Sequence, residues 1–155
     1  MSIIQAKMPL LARHRGCWTG CTRIVAPDLT LLHQQPFTLS IDFPQDGLGG
    51  RTYRQTNVNL TADGSSTSVS YTAVWAAEHG GATAVFEGAI AGAVTEMDEH
   101  ALYVTFALPH APEQRGFELI TLSADGRTRQ RTWHMFNADG SCAVGVVEER
   151  RIDQA

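Results

Sequence analysis

The residues best placed to do chemistry lie on one run, Arg127-Thr128-Arg129-Gln130-Arg131-Thr132-Trp133-His134-Met135-Phe136. Its residue types suit a β-strand, whose side chains alternate between two faces. Three arginines share one of those faces, and burying them unpaired costs several kcal/mol each. The reading that follows turns Arg127, Arg129 and Arg131 to water and points Gln130, Thr132, His134 and Phe136 inward. His134 is then the candidate internal acid or base, because an unperturbed imidazole titrates near neutrality. The plainer alternative is a core histidine satisfied by a neighbour.

A second polar run, Arg51 to Leu60, offers two inward sets. Tyr53, Gln55 and Asn57 would present a phenol and two amides, able to orient a carbonyl or carboxylate in an otherwise apolar space. Arg54, Thr56 and Val58 form the other set, and charge avoidance favours the first. Tyr71, Trp75, Phe86, Phe106 and Phe117 are the aromatic candidates for lining the space that remains. Glu87 and Glu148 are expected at the surface. The sequence holds no phosphate loop, no Gly-x-Ser-x-Gly elbow, no His-Glu-x-x-His and no Cys-x-x-Cys. Cys17 and Cys21, on one strand, stand ~13 Å apart at ~3.3 Å per residue, too far for a disulfide or a shared zinc. With Cys142 they read as free thiols, and no metal site is expected.

The elements that must position these residues follow from period-two alternation. Phe37, Leu39, Ile41 and Phe43 share one face of a strand; Val69, Tyr71, Ala73 and Trp75 share another. Leu102, Val104 and Phe106 form a third apolar face. Gly116 to Ser123 sets Phe117, Leu119 and Thr121 against Glu118. Between such runs the turn Ala-Asp-Gly recurs at 62–64, 124–126 and 138–140, a hairpin signal because Asp and Gly tolerate positive φ. Softer turns are expected at 46–50 and 78–81, and a rim connection at Pro109-His110-Ala111-Pro112-Glu113. Only Ile3 to Arg15 suits a short helix, interrupted by Pro9. The expectation is therefore all-β: a single domain over residues 1–155, an antiparallel up-and-down barrel of about nine to ten strands with a short N-terminal helical segment. Closure removes the exposed edges that an open sheet of that length would carry. A two-sheet sandwich is the second choice.

Length and composition fit that size. The chain has 155 residues, 43% hydrophobic and 18% charged, enough for one buried core without staples. A net charge of −4 provides no basic field for phosphates, so nucleic-acid binding is not expected. The first residues lack the apolar stretch of a signal peptide, and no window approaches a membrane span. A cytoplasmic protein, monomer or homodimer, is expected.

Near the ends of the chain stand Gly16-Cys17-Trp18 and Glu149-Arg150-Arg151. This pairing resembles the calycin superfamily of lipocalins, fatty-acid-binding proteins and nitrobindin-like proteins, nearest to intracellular bacterial lipocalin-like domains. The resemblance implies that Gly16 and Trp18 close the barrel floor and that Arg150, or else Arg151, packs on the indole. A guanidinium over an indole face gains cation–π attraction. The chain departs from secreted lipocalins in lacking their disulfide pattern and C-terminal helix. The functional expectation is an apolar small molecule held inside the barrel. The protein is then a cofactor-independent isomerase, cyclase or lyase with His134 as base and Tyr53 or Gln55 steadying an oxyanion. Alternatives are a non-catalytic carrier or sensor, and a nitrobindin-like haem protein with His134 as axial ligand.

Overall fold

The computed structural model describes residues 1–45, 47, 49–79 and 82–152; of the turns expected above, Asp46, Leu48, Gly80 and Gly81 lie outside these residues. Two short helices, α1 (Ile3–Lys7) and α2 (Pro9–Arg13), precede ten strands. These are β1 (Gly16–Val25), β2 (Leu31–Asp42), β3 (Thr52–Leu60), β4 (Ser66–Trp75), β5 (Thr83–Glu87), β6 (Ala91–Glu96), β7 (Ala101–Leu108), β8 (Ala111–Leu122), β9 (Thr128–Phe136) and β10 (Cys142–Ile152). Each strand pairs antiparallel with its sequence neighbours, and β10 closes on β1 from Cys17↔Ile152 to Val25↔Val144. The result is a closed up-and-down barrel rather than a sandwich.

The three Ala-Asp-Gly turns are built alike, but not as two-residue hairpins. Only the glycine takes positive φ (82°, 70° and 81° at Gly64, Gly126 and Gly140). The aspartate instead caps the loop, Asp63 Oδ1 accepting from Ser65 N at 2.9 Å and Asp125 Oδ1 from Arg127 N at 3.0 Å. Asp139 Oδ1 accepts from Ser141 N at 2.8 Å in the same way. The residues read as hairpin signals do join strands, through side-chain hydrogen bonding rather than a mirror-image turn.

The helices seal one end of the barrel. Ser2 caps α1 in a reciprocal box with Gln5, and Pro9 occupies the first turn of α2, where its missing N–H costs nothing. Ile4, Met8, Leu10 and Leu11 are buried over the barrel end. Leu11 N donates to Glu96 Oε1 at 2.7 Å, tying α2 to β6. Beneath them Trp18 is fully buried, and its Nε1 donates to the His14 carbonyl at 2.9 Å.

Arg151, not Arg150, covers that indole. Its guanidinium stands 4.3 Å from the ring centroid and donates to Gly126 O at 2.8 Å, to Arg13 O at 2.7 Å and to Arg15 O. Strand parity decides the matter: Val147, Glu149 and Arg151 face inward, so Arg150 is exposed and pairs with its near neighbour Glu148, at 3.6 Å. Gly16 leaves the space Arg151 uses, since a Cβ there would lie 2.8 Å from Nη1.

Strands β8 and β9 reverse the expected parity. Arg129, Arg131, Trp133 and Met135 face the interior, while Gln130, Thr132, His134 and Phe136 face out. On β8, Glu118 and Ile120 face in, and Phe117 and Leu119 face out. Of the three arginines only Arg127 is turned to water. The inward arginines are not unpaired, which is where the charge-avoidance argument failed. Across β9–β10 Arg129 sits opposite Glu149, and β8 brings Glu118 alongside Arg131.

Candidate functional site

Inside the barrel lies a cavity of about 360 Å³. Its sealed end is formed by Leu11 and His14, and Ile24, His33, Asn59, Leu108 and Met135 stand toward the open end. Exposed Leu29, Leu31 and Leu32 lie beside that opening, in and after the β1–β2 connection. One wall is apolar, from Phe86 on β5 and Val94 on β6 to Leu102, Val104 and Phe106 on β7 and Ile120 on β8. These are the alternate positions of consecutive strands, so the period-two pattern itself makes the wall.

The facing polar lining comes from β3, β4, β8 and β9. On β3, Tyr53 Oη donates to Gln55 Oε1 at 2.7 Å, and Gln55 Nε2 donates to Asn57 Oδ1 at 2.9 Å. The three form a ladder along one strand face, and the inward set is therefore the phenol and two amides. Burial pushes the Tyr53 hydroxyl well above its ordinary pKa, with smaller opposing influence from Arg129 and Arg131, so it remains a donor at neutral pH. Tyr71 on β4 is raised in the same way, chiefly by burial.

Opposite them is an ion-pair cluster. Glu149, fully buried, is ion-paired to both arginines, with Arg129 Nε 3.0 Å from its Oε2 and Arg131 Nε 2.8 Å from its Oε1. Glu118 Oε1 lies 3.2 Å from Arg131 Nη1. Arg129 is only 1% exposed and also sits over Trp18, 5.2 Å from the ring centroid. Among the described residues its Nη1 has no hydrogen-bond acceptor, and both ring nitrogens of His14 are likewise buried without partners. Burial, then the nearby Arg129, Arg151 and Arg13, hold His14 well below the usual imidazole range, so it is neutral. Glu118 is displaced the other way: burial raises its pKa, and Arg131 and Arg129 only partly offset this.

Of the residues singled out from sequence, Tyr53, Gln55, Asn57, Tyr71, Phe86 and Phe106 line the cavity. His134, Phe117, Gln130, Thr132 and Phe136 do not. His134 stacks on Phe117 on the outer face, ring centroids 4.9 Å apart, with Tyr103 and Phe136 around the same ring. A haem ligated by His134 inside the barrel is therefore excluded by geometry. Trp75 packs at the sealed end between Arg51 (5.2 Å) and Lys7 (6.0 Å) rather than on the cavity. Sequence reasoning missed Arg129, Arg131, Glu118, Glu149, Trp133 and His14. A usable signal existed for the first pair of partners. The 137–141 turn sets Phe136 opposite Cys142, and counting back from it places Arg129 opposite Glu149 on one face.

No family model matches the chain, and no curated protein does. Among solved structures the S-type phycobiliprotein lyase of Guillardia theta superposes with a TM-score of 0.74 at 12% identity, over 100% of this chain and 95% of that one. A protein of unknown function of the DUF3598 family from Nostoc punctiforme gives 0.67 at 19% identity, over 92% of this chain and 49% of that one. This chain thus spans about half of the Nostoc protein's length. At these identities the likeness is one of fold alone.

Proposed function

We propose that the barrel binds an apolar small molecule in its interior, with a carbonyl or carboxylate end turned toward Arg129, Arg131 and the Tyr53–Gln55–Asn57 ladder. The observation that carries this reading is Arg129 itself: a buried guanidinium lining the cavity, with Nη1 lacking an acceptor among the described residues. A dry buried donor costs on the order of 1–3 kcal/mol or more, and a ligand acceptor in the cavity would relieve it. The apolar wall from Phe86 to Ile120 suits the rest of such a molecule, and the volume suits a small one.

A second reading has the ligand chemically changed there, in a lyase- or isomerase-like reaction. It is favoured by the likeness to a phycobiliprotein lyase and by a carboxyl, Glu118, facing the cavity with a raised pKa. Tyr53 would serve as a hydrogen-bond donor. The base is assigned to Glu118 in place of His134, which faces out.

The test is native mass spectrometry of the purified protein with an absorption spectrum, followed by titration with the neutral fluorophore N-phenylnaphthylamine. A retained mass, or saturable binding of the fluorophore at one site, supports interior binding. A bare protein that binds no apolar probe refutes it.

A further inference from the structure

The two buried carboxylates of the cavity floor are held differently. Glu149 is locked by the Nε atoms of both arginines and does not line the cavity. Glu118 does line it, has Arg131 as its ion-pair partner among the described residues, and rises from a wall otherwise made of Val104, Ile120 and Trp133. The two guanidiniums therefore offer one position paired with Glu118 and one, Arg129 Nη1, that is buried without an acceptor among the described residues. Within this cluster two cations meet two anions, so its charge is balanced only while Glu118 is ionised. A third anion entering the floor would leave an uncompensated buried negative charge, which is costly in a poorly solvated interior.

We propose that the cavity accepts apolar molecules bearing a single negative charge, and that such a ligand replaces Glu118 on Arg131 while Glu118 takes up one proton. The proposal rests on the interior-binding reading given above. None of the groups around the charged floor offers another ready acceptor, and His33, which also lines the cavity, stands toward its open end. Arg129 and Arg131 on β9 are cations, and Glu149 on β10 is engaged twice. Tyr53 on β3 and Tyr71 on β4 already carry their protons, and buried His14 from α2 sits among arginines that disfavour its protonation. Glu118 is already poised by burial, and a ligand anion on Arg131 removes part of what holds it ionised. A neutral ligand of the same shape needs no such exchange.

The test compares anilinonaphthalene sulfonate with its neutral relative N-phenylnaphthylamine on the wild-type protein and on Glu118→Gln. On the wild type the sulfonate is expected to weaken up to about tenfold per pH unit above the Glu118 pKa, while the neutral probe stays flat. Calorimetry of the wild type in buffers of different ionisation enthalpy is expected to show about one proton taken up per sulfonate bound, a readout that needs no variant. In Glu118→Gln the sulfonate binds about tenfold tighter or more at alkaline pH, flat with pH and with no proton uptake. Sulfonate binding to the wild type without protons, or no sulfonate binding beside normal binding of the neutral probe, overturns the exchange. Sulfonate binding that is no tighter in Glu118→Gln and keeps its pH dependence also overturns it. Failure of both probes instead removes the interior-binding reading on which it rests.

Discussion

At the scale of single residues, two arginines adjacent in sequence have opposite fates, and the difference is measurable. Arg151 covers Trp18 and donates to three carbonyls that join β10 to the α2 end and to the β8–β9 turn. Replacing it by Gln is expected to lower unfolding free energy by about 2 kcal/mol or more, since hydrogen bonds to a charged group contribute ~1.5–3 kcal/mol. Arg150→Gln is expected to fall within about 0.5 kcal/mol of wild type, as for an exposed pair. Urea denaturation of both variants makes the comparison. His14 yields a prediction in pH. The folded protein keeps it neutral, while the unfolded chain protonates it below its usual value of about 6.5. The unfolded state therefore binds more protons as pH falls through that value. Stability is lost there at up to about 1.4 kcal/mol per pH unit from this group alone. A His14→Leu variant is expected to show a shallower acid-side decline in its urea midpoints.

At the scale of elements, β10 and β9 fit together through an absence. Gly145 on β10 lies opposite Trp133, and a Cβ at Gly145 would come within 1.9 Å of Trp133 Cε2. The indole lies flat on bare backbone and so forms part of the cavity lining instead of filling it. Gly145→Ala is expected to force the ring aside, destabilising by about 1–3 kcal/mol, as overpacking does. Displacing the ring changes its surroundings, so a shift in tryptophan emission is expected to accompany the loss. The same strand pair shows why the inward arginines are tolerated. Glu149, directly across from Arg129, turns isolated buried charges into an ion-paired cluster, and removing one partner would be far costlier than never having buried either.

At the scale of the whole molecule, the barrel is sealed at one end by α1 and α2 and lined unevenly around its circumference. The wall from β5 to β7, continued by Ile120 of β8, is apolar, and the side formed by β3, β4, β9, β10 and Glu118 of β8 carries the hydrogen-bonding and charged groups. Such a two-sided interior orients an amphipathic guest, whereas a uniformly apolar one would only enclose it. Filling the apolar half tests that division without removing a charge. Val104→Trp, on the β7 wall, is expected to abolish binding of N-phenylnaphthylamine while leaving the far-ultraviolet circular dichroism of a β-barrel in place. Retained affinity in a folded Val104→Trp protein would move the ligand out of the cavity.

Much of the fold was legible from residue order alone. Alternation in Phe37–Phe43, 67–76 and 101–108, cut by turn residues, gives the strands and their succession. The scarcity of helical pattern beyond Ile3–Arg15 leaves little else to build. Tyr53, Gln55 and Asn57 could be turned inward because that choice leaves Arg54 facing solvent. Beyond this point local pattern was silent. In β8 and β9 both faces carry apolar residues, so Phe117 and Leu119 compete with Ile120 and Leu122, and His134 and Phe136 compete with Trp133 and Met135. Which face goes inside depended on Glu149 and Glu118, carried by other strands, because a buried arginine is costly or acceptable according to what stands across from it. Pairing between strands is a property of the closed barrel, and the charged floor of the cavity came into view only there.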